Sequence, residues 1–216
     1  MVFFLKKIEI FSFNFVFYTF KVMDAKKLEA AFKLFDTYNG KDPKQYMCNG
    51  TIFPQELFFA IQLHEWVKKL EPNASEALLL ASRCQHIGRW EVPRESYPEG
   101  KAGYLNWRSN LAKYHAEKAS HILSEVGYDL ETIQRVQQIV LKQQIKSDPD
   151  VQTMENALCL VFLQFEYEDF IKKHDDPKLI RILQKSWGKM SEPGREAALT
   201  LSFSQKGAEL LNKALA

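Results

Sequence analysis

Apolar residues recur at three- and four-residue spacing through most of this chain, which is the periodicity of amphipathic helices. Residues 24–38 carry Leu28, Ala31, Phe32 and Phe35 on one face, and Asn39–Gly40 stops the run before a polar loop that continues to Phe53. Pro54 suits the first turn of a second helix, which ends near Leu70 before Pro72. Ser75 caps a third, very apolar helix (Ala77 to Ala81) that reaches about His86 and stops at Gly88. An irregular segment, RWEVPRESYPEGKAG, follows. A long fourth helix runs from about Tyr104 to Val126, closed by Gly127, and Asp129 starts a fifth that continues to about Ile145. The sixth, from about Val151, contains ALCLVFLQF (Ala157 to Phe165) and is apolar nearly all round, as expected of a helix at the centre of a bundle. Asp176–Pro177 opens a seventh, and Ser191 and Ser204 open two short terminal ones. No strand pair and no internal repeat stands out. The pattern predicts an all-α, compact single-domain bundle of about seven to nine helices over residues 23–216.

Residues 1–22 break the pattern. Seven of the 16 phenylalanines fall here, interrupted by Lys6, Lys7, Glu9, Ser12 and Asn14. A spanning helix needs about 20 mainly apolar residues, and the uninterrupted part is little more than half of that. A signal peptide would need a small-residue cleavage site and a mitochondrial presequence would need arginine; both are missing. We expect this Phe-rich extension to lie outside the fold, with Met23 as the biological start and a weak targeting signal as the alternative.

The whole chain has 29 basic and 27 acidic residues, a formal net charge of +2. Without residues 1–22 the balance is 26 to 26. Neither figure gives the basic excess that binds nucleic acid or anionic membrane through bulk charge. Three widely spaced cysteines (Cys48, Cys84, Cys159) form no disulfide framework and no CxxC pair. The expected setting is a reducing, cytoplasmic one, with a mitochondrial one as the alternative.

Candidate chemistry concentrates in one region. Four of only seven arginines (Arg83, Arg89, Arg94, Arg108) lie between residues 83 and 108, with Trp90, Trp107, Tyr97 and Tyr104. The guanidinium fork matches phosphate and carboxylate, and aromatic rings stack on planar ligands or on guanidinium itself. The interspersed Glu91, Glu95 and Glu99 leave a second reading open, a long loop stapled down by its own Arg–Glu pairs and aromatic plugs. Three histidines lie on apolar faces. His64 shares a stripe with Leu57, Ile61 and Val67, His115 lies on one face with Arg108 and Leu111, and His86 ends the third helix. Glu155, near the start of the most apolar helix, is either a paired buried carboxylate or an exposed first-turn acid.

The order of these features resembles the HD superfamily of metal-dependent phosphohydrolases. The resemblance is carried by LHEWVKKLEPNASEALLLASRCQHIGRW (Leu63 to Trp90), YHAEKASHIL (Tyr114 to Leu123) and TMENAL (Thr153 to Leu158). It implies an HD-like helical core in degenerate form, with His64, His86 and Glu155 as a weak divalent-metal set and His86 and His115 as catalytic groups. The chain departs from the family pattern at three places. Gln85–His86 stands for the His-Asp dyad, Glu155 or Asn156 for the final aspartate, and Lys142 where some members have a further histidine.

A closer resemblance, over nearly all of residues 23–216, is to an uncharacterised family of domains of unknown function, DUF4202. It rests on CQHIGRWEVPRESYP (Cys84 to Pro98), AGYLNWR (Ala102 to Arg108), HAEKA (His115 to Ala119), VQTMENALCLVFL (Val151 to Leu163) and WGKMS (Trp187 to Ser191). That family implies no activity. His86–Ile87–Gly88 and Lys189–Met190–Ser191 also echo the two signatures of class I aminoacyl-tRNA synthetases. Those signatures bind ATP from a parallel α/β fold, which the helical pattern excludes. The expectation is a pocket beneath the Arg89–Tyr97 loop, lined by His64, His86, His115, Arg83, Arg108 and Glu155. It would take a small phosphate- or carboxylate-bearing ligand through Arg83, Arg89, Trp90, Arg94, Trp107 and Arg108. A divergent metal-dependent phosphohydrolase is the alternative.

Overall fold

The computed structural model describes residues 25–216; the Phe-rich extension at residues 1–22 lies outside the described residues. Among the described residues 74% are helical, in ten helices, with one small two-stranded sheet. The first helix, α1, covers residues 25–39. It is followed by α2 (Gln55–Leu70), α3 (Glu76–Cys84), α4 (Gly100–Val126), α5 (Leu130–Val140) and α6 (Pro149–Val161). Then come α7 (Tyr167–Lys173), α8 (Asp176–Lys189), α9 (Glu192–Leu199) and α10 (Gln205–Leu215). Ser75, Asp129 and Ser204 cap as the sequence predicts, whereas Ser191 opens α9 without a side-chain cap bond and Asp175, not Asp176, caps α8. Ser75, Asp129, Asp148, Asp175 and Ser204 each accept a backbone N–H from the first turn of the helix they open.

As its all-round apolar sequence requires, α6 sits in the middle. Met154, Ala157 and Leu160 are fully buried, and α6 packs on α2, α3, α5, α8 and α9. Arg135 of α5 ties the two helix ends together. Its guanidinium donates to both Asp148 oxygens, at 2.5 and 2.8 Å, and to Asp150 at 2.9 Å. This bidentate brace fixes the ends of the 141–147 connection, and so the base of the site described below.

Three expectations are corrected. A β-hairpin replaces part of the polar loop before α2, with β1 (Gln45–Cys48) antiparallel to β2 (Thr51–Pro54). Asn49 and Gly50 both have positive φ (50° and 78°), as a two-residue hairpin turn of the mirror-image type requires. Tyr46 stacks on Phe58 at 4.5 Å and donates its hydroxyl to the Phe165 carbonyl, which plugs the hairpin onto α2 and the segment just after α6. Next, α5 stops at Val140 rather than near Ile145, because Lys142, Gln144 and Lys146 all take left-handed backbone. Last, α6 does not run straight into α7. The Tyr167 N–H donates to the Phe162 carbonyl five residues back, a wide π turn at Phe162–Glu166 that re-phases the side chains beyond it.

Asn156, a candidate for the missing aspartate, has a packing role. It accepts the Ser191 N–H (3.0 Å) and Gln152 Nε2 (3.0 Å), donates to Ser191 Oγ (2.8 Å), and so pins the start of α9. Gly194 makes room for it, since a Cβ there would come within 2.6 Å of the Asn156 side chain. Gly194→Ala would gain about 1 kcal/mol of helix propensity. The collision with a side chain held by three hydrogen bonds costs more, so a net loss of about 1–3 kcal/mol is expected. Urea denaturation measures it; unchanged or higher stability would mean that Asn156 can step aside.

Candidate functional site

A cleft of about 380 Å³ opens between the end of α3, the first half of α4, the 141–142 turn, the middle of α6 and the end of α8. The Gly88 turn delivers His86 and Arg89. Arg108 and His115, two helical turns apart on one face of α4, follow. Lys142 enters from its left-handed turn, Glu155 from α6 and Lys189 from the last residue of α8.

Glu155 is 2% exposed and holds two ammonium groups, Lys142 Nζ at 2.7 Å and Lys189 Nζ at 3.0 Å. Burial pushes the carboxyl up, but the two lysines outweigh it and hold Glu155 below its usual range. Burial also lowers Lys142, against the pull of Glu155. Opposite this triad stands Arg108, whose guanidinium lies 6.0 Å over the Tyr104 ring. Arg89 lies 5.6 Å over the Trp107 ring, and its Nε is 3.9 Å from Glu56 Oε1. Trp107 is held by its own indole N–H, which donates to the Val92 carbonyl at 2.9 Å. Four cations thus face two carboxylates, Glu155 and Glu166, in the cleft wall.

The two histidines between them carry no charge at neutral pH. His115 donates Nδ1–H to the Ile87 carbonyl at 2.7 Å, which leaves Nε2 as the unprotonated nitrogen. Burial drives its pKa down to about 4, assisted by Arg89. His86, 5.7 Å away between ring centroids, is held well below the usual imidazole range, first by burial and then by Arg89 and His115. Two buried acceptors in this wall have no hydrogen-bond partner among the described residues: His115 Nε2 and Gln85 Oε1. Gln85 uses its amide N–H to hold the Val140 carbonyl at 3.0 Å.

The cleft therefore gathers His86, His115, Arg89, Trp107, Arg108 and Glu155. It does not gather four other residues expected there. His64 lies between α2 and α3, where its Nδ1 meets Ser82 Oγ at 2.9 Å and its ring packs edge-on against Phe32. Arg83 pairs with Asp36 and lies over Phe32, tying α3 to α1. Both side chains meet Phe32 of α1 rather than the cleft. Trp90 packs on Tyr38, and Arg94 spends its guanidinium on the Tyr97 and Pro98 carbonyls, so the outer loop is stapled by its own side chains. With His64 elsewhere and Glu155 taken by lysines, the set His64, His86 and Glu155 is not assembled. No cluster of three His, Cys, Asp or Glu side chains suited to a metal occurs among the described residues.

Lys189 and Glu166 are cleft residues that pattern reading passed over. Lys189 looks like any helix-terminal lysine, and Glu166 reaches the cleft only through the π turn. No helix among the described residues is long and apolar enough to cross a membrane. No curated protein and no solved structure matches the chain. One family model does match, over residues 29–211, which span every element from α1 to α10 and all of the cleft. The chain belongs to that family, described as Domain of unknown function (DUF4202).

Proposed function

We propose that the cleft binds a small phosphate- or carboxylate-bearing ligand. The observation that carries this reading is the excess of cations, Arg89, Arg108, Lys142 and Lys189, over carboxylates in a partly enclosed wall. There, charge–charge attraction is less screened than at an open surface. Among the described residues, Arg108 is exposed and makes one long hydrogen bond, to Tyr104 at 3.4 Å, so its guanidinium is free to take an anion. Trp107 and Tyr104 supply a flat wall beside it. His86 and His115, both neutral, are the groups available for proton transfer to or from a bound molecule. The alternative of a metal-dependent hydrolase is the weaker one, because its ligand set is not assembled.

Saturating inorganic phosphate should stabilise the protein by about 1–3 kcal/mol relative to chloride at equal ionic strength. Arg108→Ala should remove most of that gain and leave helix content, read by circular dichroism, unchanged. Thermal melts at matched ionic strength check both. A phosphate effect that survives Arg108→Ala, or no phosphate effect at all, would overturn the reading.

A further inference from the structure

A second cavity of about 210 Å³ adjoins the cleft, and His86, Arg89, Leu158 and Glu166 line both. Its far wall is Glu56, with Lys44 at the rim and Phe59, Leu63 and Val161 as apolar floor. Glu56 is only 4% exposed. Its backbone N–H is taken by Asp42, and the cation nearest its carboxylate is Arg89, at 3.9 Å, outside hydrogen-bond reach. Arg89 also lowers the carboxyl of the half-buried Glu166, against its burial. The wall that joins the two cavities is therefore rich in acceptors that have few donors. These are Gln85 Oε1 and His115 Nε2, which have no partner among the described residues, beside the carboxylates of Glu56, served by Gln55, and Glu166.

A bare anion cannot satisfy such a wall; the ligand must bring donors of its own. Two kinds could do so, an ammonium or hydroxyl groups. Arg89 lies beside Glu56 and Glu166, and Lys44 stands at the rim, so an ammonium would enter next to two cations already there. A hydroxyl fits better. It donates to a carboxylate and accepts from a guanidinium at the same time, and here the two groups stand side by side. We infer that the second cavity is a polyol subsite, and that the ligand is a phosphorylated polyhydroxyl compound. Its phosphate lies among Arg108, Lys142 and Lys189, and its hydroxyls lie between Glu56, Arg89 and Glu166. This rests on the anion-binding reading above. Two structural features support it independently of charge. The π turn is what carries Glu166 into the shared wall, a device that recurs at functional sites. The combined space also falls in the range of small-molecule sites.

Calorimetric titration of the full chain with matched five-carbon probes tests it: xylitol phosphate, pentyl phosphate and aminopentyl phosphate, beside inorganic phosphate. Xylitol phosphate should bind at least ~10-fold tighter than pentyl phosphate. Glu166→Gln and, separately, Glu56→Gln should each bring xylitol phosphate down toward the level of pentyl phosphate. Equal binding of the xylitol and pentyl compounds by the unmodified protein would overturn the polyol subsite and leave the anion site standing. Tightest binding of aminopentyl phosphate would overturn it in favour of an ammonium subsite. Failure of every probe, inorganic phosphate included, would overturn the anion site and the subsite together.

Discussion

Glu155→Gln should destabilise the protein by about 3–5 kcal/mol, the usual consequence of removing one partner from a buried ion pair. The carboxylate is 2% exposed and neutralises two ammonium groups. Lys189 is half exposed and can turn to water, but the Lys142 side chain is 22% exposed and pairs with no other carboxylate among the described residues. Its backbone adds to the difficulty. At φ 56° it already sits in the left-handed region, which costs a non-glycine residue about 1–2 kcal/mol and is tolerated here because the ion pair fixes the side chain inward. With glutamine in place, Lys142 either loses its proton or leaves the cleft. Pairing the change with Lys142→Met tests the mechanism, because an apolar stem of similar volume leaves no unpaired charge. The double variant should recover at least half of the lost stability in urea melts. A double variant no better than Glu155→Gln alone would show that α6 loses stability for a reason unrelated to the pair.

How far the sequence anticipates this site depends on what kind of information each residue carries. Helical periodicity says which face of a helix is buried, and for His115 and Arg108 that was enough, because they lie two turns apart on one face of α4. It does not say which neighbour the buried face meets. His64 and Arg83 lie on equally apolar faces, yet Arg83 meets Asp36 and Phe32 of α1, and His64 meets Ser82 of α3 and Phe32 of α1. The clustering of arginines is a count along the chain and carries no direction. Arg89 and Arg108 turn inward, and Arg94 closes its own loop. Lys142, flagged only through the resemblance, depends on backbone that no periodicity signals, three left-handed residues among the five from 142 to 146. The Asn49–Gly50 turn was a visible hairpin signal. It was hidden by strands of four residues, too short for an alternation to stand out.

Stability should fall steeply between about pH 6.5 and pH 4.5, and the buried histidines set the sign. An imidazole in the unfolded chain titrates near 6.5, whereas His115 in the fold titrates near 4. A depressed histidine contributes stability that is fully present above the unfolded value and is lost as pH falls through the folded one. For His115 the loss amounts to ~3 kcal/mol by pH 4. His64, 8% exposed and brought down to about 4 mainly by burial, acts in the same direction, and so does His86. Glu56 opposes them. Burial raises its carboxyl to about 7, so the cost of keeping it charged disappears as pH falls from 7 toward its unfolded value of 4.5. Glu166 is raised for the same reason and adds to the opposition. At pH 5 to 6, unfolding thus takes up roughly two to three protons on histidine and releases one to two from the carboxyls. The net uptake of one to two protons corresponds to a slope of ~1.5–3 kcal/mol per pH unit, which would exhaust an ordinary stability of about 5–15 kcal/mol within a few units. Urea denaturation across this range measures the slope directly. His64→Gln, which lies away from the cleft, should lower it by about one proton's worth, or ~1.4 kcal/mol per pH unit. A flat profile from pH 6.5 to 5 would mean that the folded protein accommodates charged imidazoles, and the neutral His86–His115 pair at the centre of the cleft would have to be abandoned.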